Sequence, residues 1–312
     1  MRVLFWGTPE FATPPLRALL GEGFDVVGVV TQPDKPVGRS RSTLQAPPVK
    51  EIAVADGIPV LQPEKPRGDE FFEQVRALEP DISVVVAYGH LLPQAVIDVP
   101  AQGTINIHAS LLPQLRGAAP IQAAILHGFE RTGVTIMRMV RELDAGPIIH
   151  TVETPILDDE TYGELGLRLS ELGALALIEA LALISMGQAP ELEQDHASAT
   201  YAPKVDRNST QVDWSASAFD VARAIRAYDP RPGAWTIHRG NDLKLFGARL
   251  AAPDGPSEPG VIQAIDLTGM TVACGEGAVR ILNLQPAGKR RLAPADWSRG
   301  RGIAVGDRLG AE

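Results

Sequence analysis

One cysteine in 312 residues excludes an internal disulfide. A long chain without a bridge fits a reducing, intracellular setting. Cys274 closes the apolar run Thr271-Val272-Ala273-Cys274 and reads as a buried thiol. Long apolar runs are scarce as well. The start, Met1–Gly7, is apolar for only about five residues before Gly-Thr-Pro, too few for a signal-peptide core. Leu172–Met186 carries Glu179 and falls short of the roughly 18 residues a membrane span needs. A soluble, cytoplasmic protein with no membrane partner is expected.

Nucleotide and metal motifs are missing too. Gly7-Thr8-Pro9-Glu10-Phe11 stands where a dinucleotide-binding chain shows Gly-x-Gly-x-x-Gly, but Pro9 and Phe11 fill the small-residue positions, which disfavours a nicotinamide oxidoreductase. No Gly-x-x-x-x-Gly-Lys-[Ser/Thr] occurs, so a P-loop kinase is disfavoured. Six histidines and one cysteine show no ligand spacing, and no metal is expected.

What is present suffices for two domains: 45% of the residues are apolar. Short β-branched runs at Arg2–Trp6, Val26–Thr31, Ile58–Leu61, Ile82–Ala87, Thr104–His108, Val134–Met139 and Ile148–Thr154 alternate with segments long enough for crossover helices. Val84-Val85-Val86 reads as a central strand buried on both faces. A long helix follows Asp158-Asp159-Glu160 and stops near Met186-Gly187. Beyond a polar stretch with Pro190 and Pro203, one helix (216–228) precedes five short strand-like pieces separated by Gly-Asn, Pro-Gly and Gly-Glu-Gly turns. The expected fold is α/β: a Rossmann-like, open, mostly parallel sheet over 1–188, a linker over 189–208, and a small β-barrel of the oligonucleotide-binding type over 209–312.

Charge divides along the same line. The net charge is −9, yet residues 1–202 carry −12 and residues 203–312 carry +3. A basic C-terminal part on an acidic protein suits a module that meets a polyanion, and equally an arginine-rich solvated surface.

The most informative segment is Thr104-Ile105-Asn106-Ile107-His108. Strand alternation puts Ile105 and Ile107 on one face and Asn106 and His108 on the other, at the carboxyl end of a strand, where open α/β sheets bind ligands. Burying an amide and an imidazole together is costly unless something uses or satisfies them. Asp144, in Leu143-Asp144-Ala145-Gly146-Pro147, follows the strand Val134–Met139 and is read as lying at a neighbouring carboxyl end. An oxyanion donor, a proton-transferring ring and a carboxylate suit acyl transfer to an amine without a covalent enzyme intermediate.

These residues resemble the folate-dependent formyltransferases, on Asn106-x-His108, Ser110-Leu111-Leu112-Pro113 and Asp144 in Leu-Asp-x-Gly. Phe5-x-Gly7-Thr8-Pro9, Gln32-Pro33-Asp34, Val85-Val86-Ala87-Tyr88-Gly89, Arg116-Gly117-Ala118-Ala119-Pro120 and Gln285-Pro286-Ala287-Gly288-Lys289 narrow the resemblance to the members that act in translation initiation, from residue 3 to residue 305.

The resemblance implies a one-carbon transferase that moves the formyl group of 10-formyltetrahydrofolate to the α-amine of methionine on initiator tRNA. It implies that Asn106 and His108 hydrogen-bond the formyl oxygen while Asp144 orients and charges His108. It assigns Ser110, Leu111, Leu112 and Pro113 to the folate site, with Ala87, Tyr88, Gly89 and Leu91 beside the pterin. Tyr88 is equally readable as core packing. Arg39 and Arg41 would hold the acceptor end of the tRNA, and Lys204, Arg207, Lys289 and Arg290 its backbone. The loop departs from the lysine-richer family version, with Arg39-Ser40-Arg41-Ser42. Competing readings are a formyltransferase for another amine, such as a sugar nucleotide or glycinamide ribonucleotide, and a non-catalytic RNA-binding protein. No heptad or apolar stripe announces an oligomer, so a monomer is expected.

Overall fold

The computed structural model describes residues 1–37 and 43–310. In chain order the first elements are β1 (Arg2–Gly7), α1 (Thr13–Gly21), β2 (Asp25–Val30), β3 (Lys35–Val37), β4 (Thr43–Gln45), α2 (Pro48–Ala55), β5 (Val60–Leu61), α3 (Asp69–Ala77), β6 (Ile82–Val86), α4 (Gln94–Ile97) and β7 (Thr104–His108). They continue with β8 (Arg116–Gly117), α5 (Pro120–Leu126), β9 (Arg131–Arg138), β10 (Ile148–Pro155), α6 (Tyr162–Ser185) and β11 (Tyr201–Ala202). After these come α7 (Ala218–Tyr228), β12 (Ala234–His238), β13 (Asn241–Ala251), β14 (Ile262–Asp266), β15 (Gly269–Ala273), β16 (Ala278–Pro286) and α8 (Pro294–Arg299). No described helix is long and apolar enough to cross a membrane.

Two compact units emerge. One comprises residues 1–117, 131–155 and 166–202, the other 118–130, 156–165 and 203–312. Residues 189–202, read from sequence as linker, therefore pack with the first unit. The cause is local: Tyr201–Ala202 pairs in parallel with Arg116–Gly117, and Leu192 exchanges two backbone hydrogen bonds with Ile148 at 2.7 and 2.8 Å.

The first unit is built on a seven-stranded sheet in the order β10-β9-β7-β6-β1-β2-β5. Pairs among β5, β2, β1, β6 and β7 are parallel, and β6 is buried along its whole length, as a continuous Val run between two covered faces requires. Strands β9 and β10 are antiparallel to their neighbours. This alters the expected placement of Asp144. The carboxyl end of β9 lies beside Ile105, near the start of β7, and the turn 139–147 must carry Asp144 back toward His108.

Helix α6 covers the β7–β9 face at Gly173, where a Cβ would stand 3.1 Å from the Ile107 side chain. Pleating then directs Asn106 and His108 to the opposite face.

Tyr88 shows how the loop after β6 is fixed. Its ring is 1% exposed and meets Trp6 edge-on at 5.4 Å in a cluster with Phe71, Val96 and Ile97. Burial pushes its phenol up to about 12. Its hydroxyl has no hydrogen-bond partner among the described residues. Tyr88→Phe removes that buried polar atom, so a gain of about 1 kcal/mol and of about 2–4 °C in Tm is expected by thermal unfolding. A fall in Tm would show that the hydroxyl is bonded.

The second unit carries the five-stranded antiparallel sheet β12-β13-β16-β15-β14 with α7 packed on β13. Among the described residues its ladder is open between β12 and β14, as in partly open oligonucleotide-binding barrels.

Candidate functional site

Strand β7 delivers His108 to the sheet edge, 5% exposed. Its Nε2 lies 2.9 Å from the Leu115 carbonyl. A carbonyl only accepts, so Nε2 carries the hydrogen and donates it. That leaves Nδ1 facing Oδ2 of Asp144 at 3.7 Å. Asn106, two residues earlier on the same face, is half-buried. Its amide makes no hydrogen bond among the described residues.

The segment after β7 folds onto β9. Thr135 Oγ1 donates to the Ser110 carbonyl at 2.7 Å and accepts from the Leu112 N–H at 3.2 Å. The Ser110 hydroxyl is fully buried and donates to the Gln114 carbonyl at 2.6 Å, so it shapes the turn. Leu112 is buried, Leu111 and Pro113 are half-buried, and the Leu112–Pro113 peptide is cis.

Asp144 sits at φ 50°, in the left-handed region, with its side chain 13% exposed. Its Oδ2 accepts the Gly117 N–H at 2.8 Å. The carboxylate is thus anchored to β8, and its distance to His108 is longer than a hydrogen bond. Gly117 itself has φ 116°, and a Cβ there would lie 2.6 Å from the Ala202 carbonyl oxygen.

A cavity of about 550 Å3 opens beside these groups. One wall is Leu91, Leu92 and Ile97; the other is the stretch from Met137 to Ala145, including Asp144. Leu91 is 78% exposed over it. The loop leading to Leu91 begins with Ala87 at φ 47° and Gly89 at φ 90°. The Tyr88 carbonyl between them accepts from Thr8 Oγ1 and Gln32 Nε2, each at 3.1 Å. The loops after β1, β2 and β6 are thereby tied together. The Met139–Leu143 wall escaped the sequence reading. Its only signal is Met139-Val140, apolar residues running on past a strand end.

The basic candidates divide. Lys204, Lys289 and Arg290 are exposed in the second unit. Arg207 stacks over the Trp235 ring at 4.2 Å and pairs with Asp242 at 2.7 Å, so part of its charge is already engaged. Arg39 and Arg41 lie outside the described residues.

Comparison with known proteins agrees with this architecture. The model of the formyl transferase family matches residues 1–181, and that of the formyl transferase C-terminal domain matches residues 204–302. The methionyl-tRNA formyltransferase of Bacillus subtilis is 46% identical over 310 residues, 99% of this chain and 98% of its own length. That of Geobacillus thermodenitrificans is 47% identical over 312 residues, with 99% and 97% covered.

The chain belongs to the methionyl-tRNA formyltransferase family.

Solved structures share the fold at lower identity. HypX from Aquifex aeolicus, in complex with tetrahydrofolic acid, superposes with a TM-score of 0.70 at 21% identity, covering 98% of this chain and 48% of HypX. WlaRD, a sugar 3N-formyl transferase, gives 0.66 at 18% identity over 93% of this chain and 99% of its own. As a member of the family, the chain is a formyltransferase enzyme with a Rossmann-like catalytic fold followed by an antiparallel barrel-type domain.

Proposed function

We propose that this chain transfers the formyl group of 10-formyltetrahydrofolate to the α-amine of methionine carried by initiator tRNA. The observation that carries the reading is the Asp144 carboxylate, which faces His108 Nδ1 at 3.7 Å and lies in the wall of the cavity lined by Leu91, Ile97 and Met139, in a chain similar to methionyl-tRNA formyltransferases along its whole length.

The cavity fits a folate. Its volume is within the usual range for small-molecule sites, about 300–1,000 Å3, and its apolar walls suit a flat ring system. The backbone of the 87–92 loop and of the 139–145 turn would meet the polar edge of the ring. Ser110–Pro113 would line the path from the ring toward His108. Bound there, the folate supplies the formyl carbon.

The chain's own groups do the rest. The Asn106 amide N–H donates to the formyl oxygen as negative charge develops on it, a contact that strengthens only in the transition state. With Nε2 held by Leu115, the His108 ring is fixed in plane, and its Nδ1 edge exchanges a proton with the reacting centre or with Asp144. Asp144, facing Nδ1, takes up, directly or through one water, the proton lost by the attacking amine, and that proton passes to the folate nitrogen as its bond to the formyl carbon breaks. No side chain in the group serves as a covalent nucleophile.

The second unit provides the polyanion contacts through Lys204, Arg207, Lys289 and Arg290, with the loop bearing Arg39 and Arg41 at the acceptor end. With about four to six phosphates neutralised, counterion release predicts that tRNA affinity falls by about 100–1,000-fold between 50 and 200 mM salt, read from binding isotherms. A flat response would remove these cations from the interface.

The reading is tested by incubating the protein with 10-formyltetrahydrofolate and either charged methionyl-tRNA or a nucleotide-linked amino sugar. Formylmethionyl-tRNA forms if the reading holds. Formylation of the sugar amine alone would transfer the same chemistry to another substrate.

A further inference from the structure

Gln194 lies in the stretch between α6 and β11 that carries no sequence motif, yet it is 5% exposed and bonded on every side. Its Nε2 donates to the Asp144 carbonyl at 2.9 Å and to the Gly146 carbonyl at 2.8 Å. Its Oε1 accepts from Arg116 Nε at 3.1 Å and Nη2 at 2.7 Å. All four hydrogen-bonding positions of the amide are filled. The orientation is forced, because a flipped amide would set N–H against guanidinium and oxygen against two carbonyls.

Arg116 in turn is 1% exposed. Besides Gln194 it reaches His196 Nδ1 at 3.2 Å and Glu142 Oε1 at 3.9 Å. A guanidinium only donates, so His196 Nδ1 accepts. The segment holding Gln194 is clamped at both ends, by the Leu192–Ile148 bonds before it and by Thr200 after it. Thr200 accepts the Leu115 N–H on its hydroxyl at 2.9 Å and the Arg116 N–H on its carbonyl at 2.9 Å.

Asp144 needs such a clamp. A non-glycine residue at positive φ is strained and persists only where its surroundings hold it. The end of β9 ties the base of the turn, where the Arg138 N–H donates to the Pro147 carbonyl at 2.9 Å. The two carbonyls that flank the bend, at 144 and 146, are held by one amide.

We propose that Gln194, oriented by buried Arg116, is the positioning residue of the Asp144 turn: it fixes the bend that sets the carboxylate against His108 and so governs the chemical step. This rests on the formyltransferase reading of the site.

The test is a double-mutant cycle in single-turnover formyl transfer, using Gln194→Glu, Asp144→Asn and the double variant. Gln194→Glu keeps the shape and the Arg116 contact but loses both N–H donors. The expected loss is about 100-fold in the chemical rate, the scale of an ångström-sized misplacement. KM for methionyl-tRNA should stay within about twofold of the unmodified enzyme. Because Gln194 acts through Asp144, the double variant should be no slower than Asp144→Asn alone, within about threefold. A purely structural role would lower the folded fraction equally in both backgrounds. Multiplicative losses, or an unchanged rate in Gln194→Glu, overturn the proposal. If Gln194→Glu does not fold, Gln194→Asn, whose shorter amide cannot span both carbonyls and Arg116, takes its place in the same cycle. Failure of the unmodified protein to transfer formyl would instead overturn the function itself.

Discussion

Asn106→Ala is expected to slow formyl transfer by about 100–1,000-fold while the protein melts within a few degrees of the unmodified chain. The asymmetry follows from where the amide sits. Asn106 occupies the half-buried face of β7, and its side chain bonds to no other described residue, so truncation breaks no network that holds the sheet. Its neighbour on that face, His108, has Nε2 committed to the Leu115 carbonyl and Nδ1 turned toward Asp144. The Asn106 amide is therefore the uncommitted donor able to meet charge on the formyl oxygen. Because that charge appears only as the amine attacks, the loss should fall on kcat, with KM for either substrate little changed. A rate loss under threefold would remove Asn106 from the mechanism.

Gly117→Ala should damage both stability and rate. At φ 116° an alanine is strained whatever the space, and here its Cβ would lie 2.6 Å from a backbone oxygen of β11. The strain alone is about 1–3 kcal/mol. Relief requires β8 to move from β11, and the Gly117 N–H moves with it. That N–H is the 2.8 Å donor to the Asp144 carboxylate, and displacement by an ångström costs about 100-fold in rate. Thermal unfolding together with kcat measures the pair of effects. Normal rate in a destabilised variant would show that Gly117 serves the fold without holding Asp144.

Much of this was legible in the sequence for plain physical reasons. Strands β6 and β7 announce themselves as β-branched runs and β1 as a short apolar one, and turn signals mark off the five pieces that become β12 to β16. Alternation in 104–108 puts Asn106 and His108 on one face. What was hidden is what periodicity cannot carry. A strand has the same pattern in either direction, so the antiparallel run of β9, and with it the return of the Asp144 turn, left no trace. A two-residue pairing such as β8–β11 is too short to have a period, which is why 189–202 read as a linker and Gln194 went unnoticed. A buried arginine looks like any surface cation until its partners are seen, and Arg116 has three side chains within reach, Gln194, His196 and Glu142. Tyr88 was readable as either ligand contact or core, and its ring packs in the core while its carbonyl ties three loops together.

The most direct test compares formyl transfer from 10-formyltetrahydrofolate to methionine on initiator tRNA, to methionine on elongator tRNA and to free methionine. The structure and the family together predict rapid transfer to the initiator form alone, slowed by about 100–1,000-fold in the Asn106→Ala variant. Equal transfer to free methionine would contradict the role given to the basic C-terminal unit. No transfer to any of the three, with folate consumed when another amine is supplied, would contradict the substrate.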